Sequence, residues 1–429
     1  MQRLIILGAG TAGTMSANRL RSRLPNWSIT VVDRDDAHHY QPGYLFVPFG
    51  DLPPERLVKP RHDYLNDGIE LVLGDVDRVD TDTNTVVLDD GRELRYDQLV
   101  IATGSHPRPD QTPGMDGPLW HKDVFDFYTL EGTTALRNRL ASWDGGRLVV
   151  HITEMPIKCP PAPLEFSFLA DDFFRKRGMR DRVEIIYVTP LDGAFTKPIA
   201  SATLGGMLKE RKIHLEPDFV IERVDNDSHA IVSYDEREIP FDLLVTVPLH
   251  MGENFVGGSG LGDELNHVKV DPHTFQSRKH DNIFALGDAA DLPTSKAGSV
   301  AHFAVDVFAD NFVEHVAGRP MTHQFDGHAN CFVESGNGKA MLLDFNYETE
   351  PLPGRFPVPG IGPLKLLAET RANHWGKRAF EWIYWHLLLP ARPLPVSTDM
   401  SMRGKHEPAT DLADVPSAPD QPRKTEVFK

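Results

Sequence analysis

An internal repeat is the feature that most limits the fold of this chain. Residues 77–103 align without a gap on residues 222–248 and match at 11 of 27 positions. Matching segments at a fixed offset of 145 residues predict two related units within one chain. The first unit begins with a strand-like run, Leu4 to Leu7, followed directly by the glycine loop GAGTAG. A buried strand followed by this loop is typical of a dinucleotide-binding unit.

The glycine loop and the segments around it predict a site for FAD or NAD. Its glycines allow a tight turn and let a pyrophosphate approach the N-terminus of the following helix. A second strand-like run, Ile29 to Val32, ends at Asp33, an acid that can bind a ribose 2′-hydroxyl and would repel the 2′-phosphate of NADP. The expected fold class is α/β, with two tandem Rossmann-like, three-layer dinucleotide-binding domains and a C-terminal amphipathic helical segment.

The second unit lacks the glycine loop. Moved forward by 145 positions, the three glycines fall on Thr153, Met155 and Lys158, and Cys159 follows at once. The repeat therefore predicts one bound dinucleotide and a thiol in place of the second site. A cysteine just ahead of the helical run Leu164 to Arg177 is expected to have a lowered pKa and to be reactive. An ordinary buried thiol is the alternative.

Four short segments together resemble the sulfide:quinone oxidoreductase family: GAGTAG, Tyr40-Gln41-Pro42-Gly43-Tyr44, Lys158-Cys159-Pro160-Pro161 and Cys331-Phe332. The resemblance runs from residue 1 to about residue 395. It implies an FAD enzyme that oxidises hydrogen sulfide to sulfane sulfur or polysulfide and passes two electrons to a membrane quinone. Cys159 and Cys331 match the family's redox pair, joined by a disulfide or a bridging sulfur. A third cysteine is absent, so the sulfur acceptor, a small thiol included, stays open.

The motifs and the resemblance also predict individual site residues. Glu165 is a candidate proton relay, although a helix dipole favours an acid in the first turn in any case. Phe332, Lys377 and Phe380 match the quinone pocket of the family. The predicted contacts of a non-covalently bound FAD are Gly8, Gly10, Thr11, Ala12, Gly13, Asp33, Arg34, Gln41, Ala102, Thr103, Gly104, Gly287, Asp288 and Lys296.

Composition and charge exclude several classes of protein. The net charge of −17 disfavours nucleic acid as a partner, because binding phosphates requires clustered Lys and Arg. No run of 18 uncharged apolar residues is present, so no transmembrane helix is expected. No histidine stands at a metal-ligand spacing from Cys, Asp or Glu, so no metal site is expected.

The C-terminal region predicts contact with a membrane surface. Four aromatic side chains of the types Trp, Tyr and Phe stand close together at 380–385, within the segment 364–389. Seven basic residues and three acids are present in 364–405. Such a segment suits the membrane interface. A peripheral membrane protein on the cytoplasmic face is expected, because the N-terminus enters its first strand by Leu4. A packed C-terminal helix or a dimer contact is the alternative, and the oligomeric state, a homo-oligomer included, stays open.

These inferences predict the division of the chain. An FAD-binding domain takes 1–110 and 245–325, and a degenerate second nucleotide-binding domain with the redox cysteine takes 111–244. A quinone and membrane-interface segment takes 326–395, and 396–429 is expected to be a disordered tail. Three other functions stay open: a sulfide dehydrogenase that passes electrons to a cytochrome, an enzyme like type II NADH:quinone oxidoreductase, and a non-enzymatic flavin or persulfide sensor.

Overall fold

The computed structural model describes residues 1–358, 361–392 and 396–407. The helices are α1 (Thr11–Arg21), α2 (Leu130–Ser142), α3 (Ala162–Lys176), α4 (Pro198–Glu210), α5 (Asn254–Gly258), α6 (Gly298–Val316) and α7 (Arg371–Ile383), and α7 continues as a π-helical turn, Tyr384–Leu388. The strands are β1 (Arg3–Leu7), β2 (Ser28–Asp33), β3 (Ala37–His39), β4 (Val58–Pro60), β5 (Ile69–Leu73), β6 (Val76–Asp80), β7 (Thr85–Leu88), β8 (Glu93–Arg95), β9 (Gln98–Ile101), β10 (His106–Arg108), β11 (Val124–Phe125), β12 (Gly146–Ile152), β13 (Val183–Val188), β14 (His214–Glu216), β15 (Ile221–Asp225), β16 (Ala230–Ser233), β17 (Glu238–Pro240), β18 (Leu243–Val247), β19 (Leu249–Met251), β20 (Ile283–Ala285), β21 (Ala329–Gly336), β22 (Lys339–Phe345), β23 (Gly354–Phe356) and β24 (Leu364–Leu366).

The first sheet is parallel and has five strands in the order β20-β9-β1-β2-β5. Its central strand β1 shows why the unit has three layers. Leu4 and Ile6 belong to the core cluster that includes residues of α1 and α6, whereas Ile5 and Leu7 belong to the cluster under the antiparallel sheet β6-β7-β8. Because successive side chains of a strand point to opposite faces, an unbroken apolar run serves both cores.

The second sheet repeats this plan in the order β11-β18-β12-β13-β14. The bounds of β6, β7 and β8, moved forward by 145, are those of β15, β16 and β17. Even the irregular pairing recurs, between Val76 and Arg78 in one unit and between Ile221 and Arg223 in the other. The predicted α/β class with two tandem dinucleotide-binding units is therefore confirmed.

The two units differ most in the loop and helix after their first long strand. β1 and β2 are separated by 20 residues, whereas β12 and β13 are separated by 30. The additional residues form the loop that carries Cys159 and lengthen α3 relative to α1. The second unit has therefore kept its sheet and replaced the short glycine turn with a longer loop.

A third unit follows α6. It is a four-stranded sheet in the order β21-β22-β24-β23, with α3 packed against β21 and α7 against β22. The β21–β22 turn contains Gly336 at φ +77°, and a Cβ there would lie 2.8 Å from the Cβ of Asp172 on α3. Only glycine tolerates both this conformation and this approach. The turn therefore lets the sheet that carries Cys331 lie directly on α3.

The start of the expected disordered tail packs against this sheet. Lys405 Nζ lies 2.6 Å from Asp344 Oδ2, and both side chains are almost fully buried. The N–H of Met400 donates to Asp326 Oδ2 at 3.0 Å. Met400 and Lys405 are therefore held by contacts with Asp326 and Asp344, and the disorder expected of 396–429 stays a prediction. Residues 408–429 lie outside the described part of the chain.

Candidate active site

A cleft of about 330 Å³ opens at the carboxyl ends of β1 and β9. Ligands of open α/β sheets bind at this edge, and the volume is in the range of about 300–1,000 Å³ typical of ligand sites. Four predicted residues, Gly13, Cys331, Phe332 and Phe380, are not part of its lining. Those that line it are Gly8, Gly10, Thr11, Ala12, Asp33, Arg34, Gln41, Ala102, Thr103, Gly104, Cys159, Glu165, Gly287, Asp288, Lys296 and Lys377.

The glycine loop presents its main chain to this cleft. A Cβ at Gly13 would lie 1.8 Å from the carbonyl oxygen of Gly8, so Gly13 is required by packing within the loop. A Cβ at Gly10 would meet no protein atom within 4 Å, so a pyrophosphate can approach the backbone there. The Thr103 hydroxyl is buried and has no hydrogen-bond partner among the described residues. These features fit FAD.

Asp33, the last residue of β2, is hydrogen-bonded to the glycine loop. Its Oδ2 accepts from the N–H of Ala9 at 2.6 Å, and its Oδ1 lies 3.0 Å from Arg61 Nη2. Burial raises the pKa of Asp33, and the positive charge of Arg61 acts against this. Asp33 remains part of the cleft lining, where a ribose can reach it. No motif surrounds Arg61 in the sequence, and only the folded chain brings it to Asp33.

Two buried lysines join the two units at the cleft. Lys296 Nζ donates to the carbonyl oxygens of Asp288 at 2.8 Å and Ala290 at 3.0 Å, so it supports the turn that contains Asp288. Lys158 Nζ donates to Gln41 Oε1 at 3.1 Å. Burial lowers the pKa of both lysines. The main chains of Lys158 and Lys296 also pair as an isolated β-bridge. Lys296 thus supports a main-chain turn with its ammonium group. Lys158 lines the cleft although its motif was not taken to predict a role for it in the site.

Cys159 has an unusual backbone conformation. Its φ of +47° lies in the left-handed region, which is costly for residues other than glycine. Its N–H donates to the carbonyl oxygen of Lys296 at 2.7 Å, and its own carbonyl accepts from Ala162 at 2.8 Å. Strained residues that the surroundings hold in place cluster at functional sites. Cys159 in this conformation is part of the cleft lining.

Cys331 reaches the same region through the packing of β21 against α3. The N–H of Glu334 on β21 donates at 2.7 Å to Oε1 of Glu165 on α3. Cys331 belongs to the core cluster against which Cys159 packs, and a charge on Cys331 contributes to the raised pKa of Cys159. Both cysteines are free thiols in this structure. Positions 172 residues apart are thus brought to one site by a sheet-on-helix contact.

The thiols differ from expectation in their protonation. Burial raises the pKa of Cys331 to about 12, and the charge of Glu165 adds to this. The pKa of Cys159 is raised as well, first by burial and then by Glu165, while Lys377 acts to lower it. The expected lowering by the N-terminus of α3 is therefore wrong, because desolvation outweighs a helix dipole. A thiolate at this site needs a neighbouring proton acceptor or must form as a leaving group.

Glu165 and Lys377 form a buried pair beside the cysteines. Lys377 Nζ contacts Glu165 Oε1 and donates to the carbonyl oxygen of Phe332 at 3.2 Å. Burial raises the pKa of Glu165 to about 7, although Lys377 counteracts it. Burial works to lower the pKa of Lys377, but the charges of Glu165 and Glu334 outweigh it and the pKa is raised. The pair therefore keeps a cation at the thiols and an acid able to exchange a proton near neutral pH.

The three residues expected to hold a quinone come from two elements: Phe332 from β21, and Lys377 and Phe380 from α7. The ring of Phe332 packs so closely on α7 that a Cβ at Gly376 would lie 3.1 Å from its Cζ atom. Lys377 Nζ lies 5.5 Å from the centre of the Phe46 ring. Phe332 and Phe380 are half-buried beside the cleft, and Lys377 lines it. Their role with a quinone stays a prediction.

The aromatic C-terminal run divides between surface and core. Trp375 and Trp382 are 69% and 58% exposed, whereas Tyr384 and Trp385 are buried. The Tyr384 hydroxyl lies 2.7 Å from that of Thr11, and Asn18 Nδ2 donates to the carbonyl oxygen of Leu389 at 2.7 Å. The alternative of a packed helix therefore holds for the end of this run, since Tyr384 and Trp385 pack against the rings of His38, Tyr40 and Tyr64. Tyr384 also lines the cleft, a position that no motif indicated.

Comparison with known proteins agrees with this geometry. Residues 2–151 match the family Pyridine nucleotide-disulphide oxidoreductase. The mitochondrial sulfide:quinone oxidoreductase of Dictyostelium discoideum is 27% identical over 91% of this chain and 86% of its own length. The sulfide-quinone reductase of Aquifex aeolicus is 22% identical over 88% of this chain and 89% of its own length.

The fold comparison leads to the same group of proteins. The X-ray structure of the sulfide:quinone oxidoreductase from Aquifex aeolicus superposes with a TM-score of 0.78 at 19% identity, covering 91% of this chain and 92% of that one. The match extends over the two repeated units and the C-terminal sheet, well beyond the glycine loop. The chain is a flavoprotein oxidoreductase and a homologue of the sulfide:quinone oxidoreductases.

Proposed function

We propose that this protein oxidises hydrogen sulfide at Cys159 and Cys331 and passes two electrons to a quinone. The observation that carries the proposal is that Cys159, Glu165 and Lys377 line one cleft, while Cys331 lies in the adjoining core, close enough for its charge to act on Cys159. Relatives that align over nine-tenths of the chain are named for this reaction. Thiol–disulfide exchange lets a pair of cysteines take two electrons from a sulfur anion.

The proposed reaction begins with the cysteines joined as a disulfide. Hydrosulfide attacks one sulfur, so that a new sulfur–sulfur bond forms a persulfide and the other cysteine leaves as a thiolate. A second hydrosulfide, or a small thiol, takes the outer sulfur and leaves a thiol behind. With hydrosulfide as acceptor the product is hydrodisulfide, HS₂⁻. Loss of two electrons and one proton from the cysteine pair then re-forms the disulfide.

Bound FAD would supply the two-electron link between the cysteines and the quinone. The residues proposed to hold it all line the cleft: Gly8, Gly10, Thr11 and Ala12 of the glycine loop, Asp33, the Ala102-Thr103-Gly104 turn and the Gly287-Asp288 turn. Arg61 and Lys296 also line the cleft, and in addition Arg61 pairs with Asp33 and Lys296 donates to the carbonyl oxygen of Asp288.

Glu165 and Lys377 are proposed to stabilise the thiolate form of the cysteines and to exchange protons with them. Since burial raises the pKa of both thiols, a thiolate released at this site is a strong base. The Lys377 ammonium stabilises that negative charge, because opposite charges in a desolvated site attract strongly. Glu165, with its pKa raised to about 7, takes up or returns the proton as the cysteines change state.

The acceptor site is proposed at Lys377, between Phe332 and Phe380. The two half-buried rings provide apolar surface next to the cleft, and Lys377 provides a donor for a quinone oxygen. The exposed face of α7 supports delivery from a membrane. Trp375 and Trp382 project from this face, and Ile361 in the preceding loop is 83% exposed. Exposed Trp and Ile side chains favour binding to the membrane interface.

We therefore propose peripheral attachment to a membrane through α7, on its cytoplasmic face. Among the described residues, no helix combines the length and the apolar character needed to cross a bilayer.

Rapid mixing of the purified FAD-loaded protein under anaerobic conditions tests the proposal. We expect sulfide to bleach the flavin absorbance and a water-soluble quinone to restore it. NADH and NADPH are expected to leave the absorbance unchanged, because Thr153, Met155 and Lys158 replace the second glycine loop. Bleaching by NADH instead of sulfide would show an NADH:quinone oxidoreductase. Bleaching by sulfide with no return of colour by quinone would favour electron transfer to a cytochrome.

A further inference from the structure

A line of ionisable side chains leads from the cysteine site to the surface of α7. At its inner end, Glu165 Oε1 contacts Lys377 Nζ. One turn earlier on α7, His374 Nδ1 lies 3.0 Å from both carboxylate oxygens of Glu334. The main-chain N–H of Glu334 donates to Glu165 Oε1 at 2.7 Å, and the charge of the Glu334 carboxylate contributes to raising the pKa of both Glu165 and Lys377. Four ionisable groups from three elements therefore form one connected cluster.

Exposure is greatest at the His374 end of this cluster. The side chains of Glu165 and Glu334 are 1% and 2% exposed, that of Lys377 is 12% exposed, and that of His374 is 25% exposed. His374 is thus the member that reaches solvent. At the other end, Glu165 lines the cleft, and its Oε2 is buried without a hydrogen-bond partner among the described residues. An acid with one unpaired oxygen at the cleft can hand a proton to a bound molecule.

A purely structural role explains this arrangement poorly. A buried ion pair contributes little net stability, and apolar side chains of similar size would hold α7 on β21 as well or better. The cluster contains two buried acids where one pair would fix the helix. Ionisable groups that are kept in a buried site despite their desolvation cost are candidates for proton transfer.

The proposed function creates a need for a proton path. Reduction of a quinone to a quinol consumes two electrons and two protons. The cysteine pair gives up two electrons but only one proton when its disulfide re-forms after attack by hydrosulfide. Two hydrosulfide ions, one quinone and one proton therefore give one hydrodisulfide and one quinol. One proton per turnover has to enter the site from solvent.

We propose that His374 and Glu334 carry this proton from solvent to Lys377 and Glu165, which deliver it at the cleft. The proposal rests on the proposed function. Lys377 connects Glu334 with Glu165. It contacts Glu165 directly, and the negative charge of Glu334 contributes to its raised pKa. His374 and Glu334 act through this pair and contact neither cysteine in the described hydrogen-bond network.

One further charged pair, Arg211 and Glu369, borders the cluster. Arg211 Nη2 donates to the carbonyl oxygen of Ser335 at 3.2 Å and to Glu369 Oε1 at 2.7 Å. Glu369 directly precedes α7, so this pair borders the relay on the side of β21. Substitution of His374 leaves Arg211 and Glu369 in place, and a change in proton transfer can then be assigned to the relay.

The test starts from FAD-loaded protein reduced with one equivalent of dithionite in the absence of sulfide. It is mixed with a water-soluble quinone while flavin absorbance and the colour of a pH indicator are followed together. The variants are His374→Ala and Glu334→Gln, and the control is His214→Gln, an exposed histidine that pairs with Glu216 at 3.4 Å on β14. We expect proton uptake and reoxidation to slow about tenfold or more in both variants and not in the control. Added imidazole should restore His374→Ala and leave Glu334→Gln slow.

Two results overturn the relay. In one, His374→Ala takes up protons and reoxidises at the wild-type rate. In the other, the variant is slow and imidazole does not restore it, which shows that His374 only supports α7. Failure of the proposed function is seen separately, in wild-type protein that sulfide does not bleach or that quinone does not reoxidise.

Discussion

The hydroxyl oxygen of Tyr384 lies 2.7 Å from that of Thr11 and 2.7 Å from Nε2 of His38. The other ring nitrogen of His38 lies 3.1 Å from the carbonyl oxygen of Ala9. Because a carbonyl only accepts, the proton of His38 belongs on Nδ1, and Nε2 accepts from Tyr384. Burial lowers the pKa of His38 to about 3, so the ring is neutral. The C-terminal helical segment is therefore hydrogen-bonded to the glycine loop of the first unit.

The hydrogen bonds of Tyr384 with Thr11 and His38, called the Tyr384 bridge below, predict that the C-terminal segment supports cofactor binding. A chain that ends before Leu364 loses the Tyr384 contact and exposes the core side chains that α7 and its extension cover. We expect it to be purified with little FAD, measured as the ratio of flavin to protein absorbance. A truncated protein with a full complement of FAD that sulfide still bleaches would contradict this.

The single substitution Tyr384→Phe tests the same bridge by removing only the hydroxyl group that contacts Thr11 and His38. It leaves the buried Nε2 of His38 without its donor, and an unsatisfied buried polar group costs about 1–3 kcal/mol. We expect a lower temperature of thermal unfolding and weaker retention of FAD. Tyr234→Phe is the control, since Tyr234 is 71% exposed. Equal unfolding temperatures for the two variants would show that the bridge contributes nothing.

Glu165 predicts a specific pH dependence of stability. Its pKa is raised to about 7 from the ordinary value of 4.5, so the folded protein binds a proton that the unfolded chain releases between these values. The contribution of this group is present at low pH and is lost as the pH rises through about 7. At about 1.4 kcal/mol for each pKa unit the loss is at most about 3 kcal/mol.

Urea unfolding of wild type and Glu165→Gln at several pH values measures this effect. The difference in unfolding free energy between the two proteins is expected to move in favour of the variant as the pH rises from about 4.5 to about 7. Lys377 keeps an acceptor in the variant, because the glutamine oxygen occupies the place of Oε1. A difference that stays constant over this range would show that burial does not raise the pKa of Glu165.

The two cysteines are expected to act as one unit. Cys159→Ser and Cys331→Ser should each reduce the rate of sulfide-driven flavin bleaching below about one-thousandth of wild type, and the double variant should be no slower. Both are expected to retain FAD, because the glycine loop and the Gly287-Asp288 turn do not include them. Stopped-flow absorbance checks the rates. Near-normal bleaching in either single variant argues against a shared redox pair.

The exposed tryptophans of α7 predict membrane binding without an effect on the cysteine chemistry. Trp375→Glu combined with Trp382→Glu places two charges on the exposed face, where they oppose insertion into the interface. We expect loss of flotation with liposomes and unchanged bleaching by sulfide. Tyr234→Glu changes an equally exposed aromatic residue in the second unit and serves as control. If wild type itself does not float, α7 faces another protein surface.

The sequence alone determined the architecture of the two repeated units. Strand runs such as Leu4 to Leu7 are apolar throughout because both faces of a parallel sheet are covered, and this signal is local. The repeat predicted the second sheet for the same reason, since β15, β16 and β17 follow from β6, β7 and β8 by one shift. The glycine loop was equally informative, because its requirement for glycine arises within a few residues.

Only the tertiary structure decided the surroundings of the cysteines. The pKa values of Cys159 and Cys331 depend on burial between α3 and β21, which no neighbouring residue in the sequence reveals. The pairing of Glu165 with Lys377 joins positions 212 residues apart. The aromatic run at the end of α7 and just after it is suited to a membrane by composition, but packing on His38 and Tyr40 buries Tyr384, whereas Trp382 is exposed. Local patterns specify strands and turns, whereas charge, protonation and exposure are properties of the assembled interior.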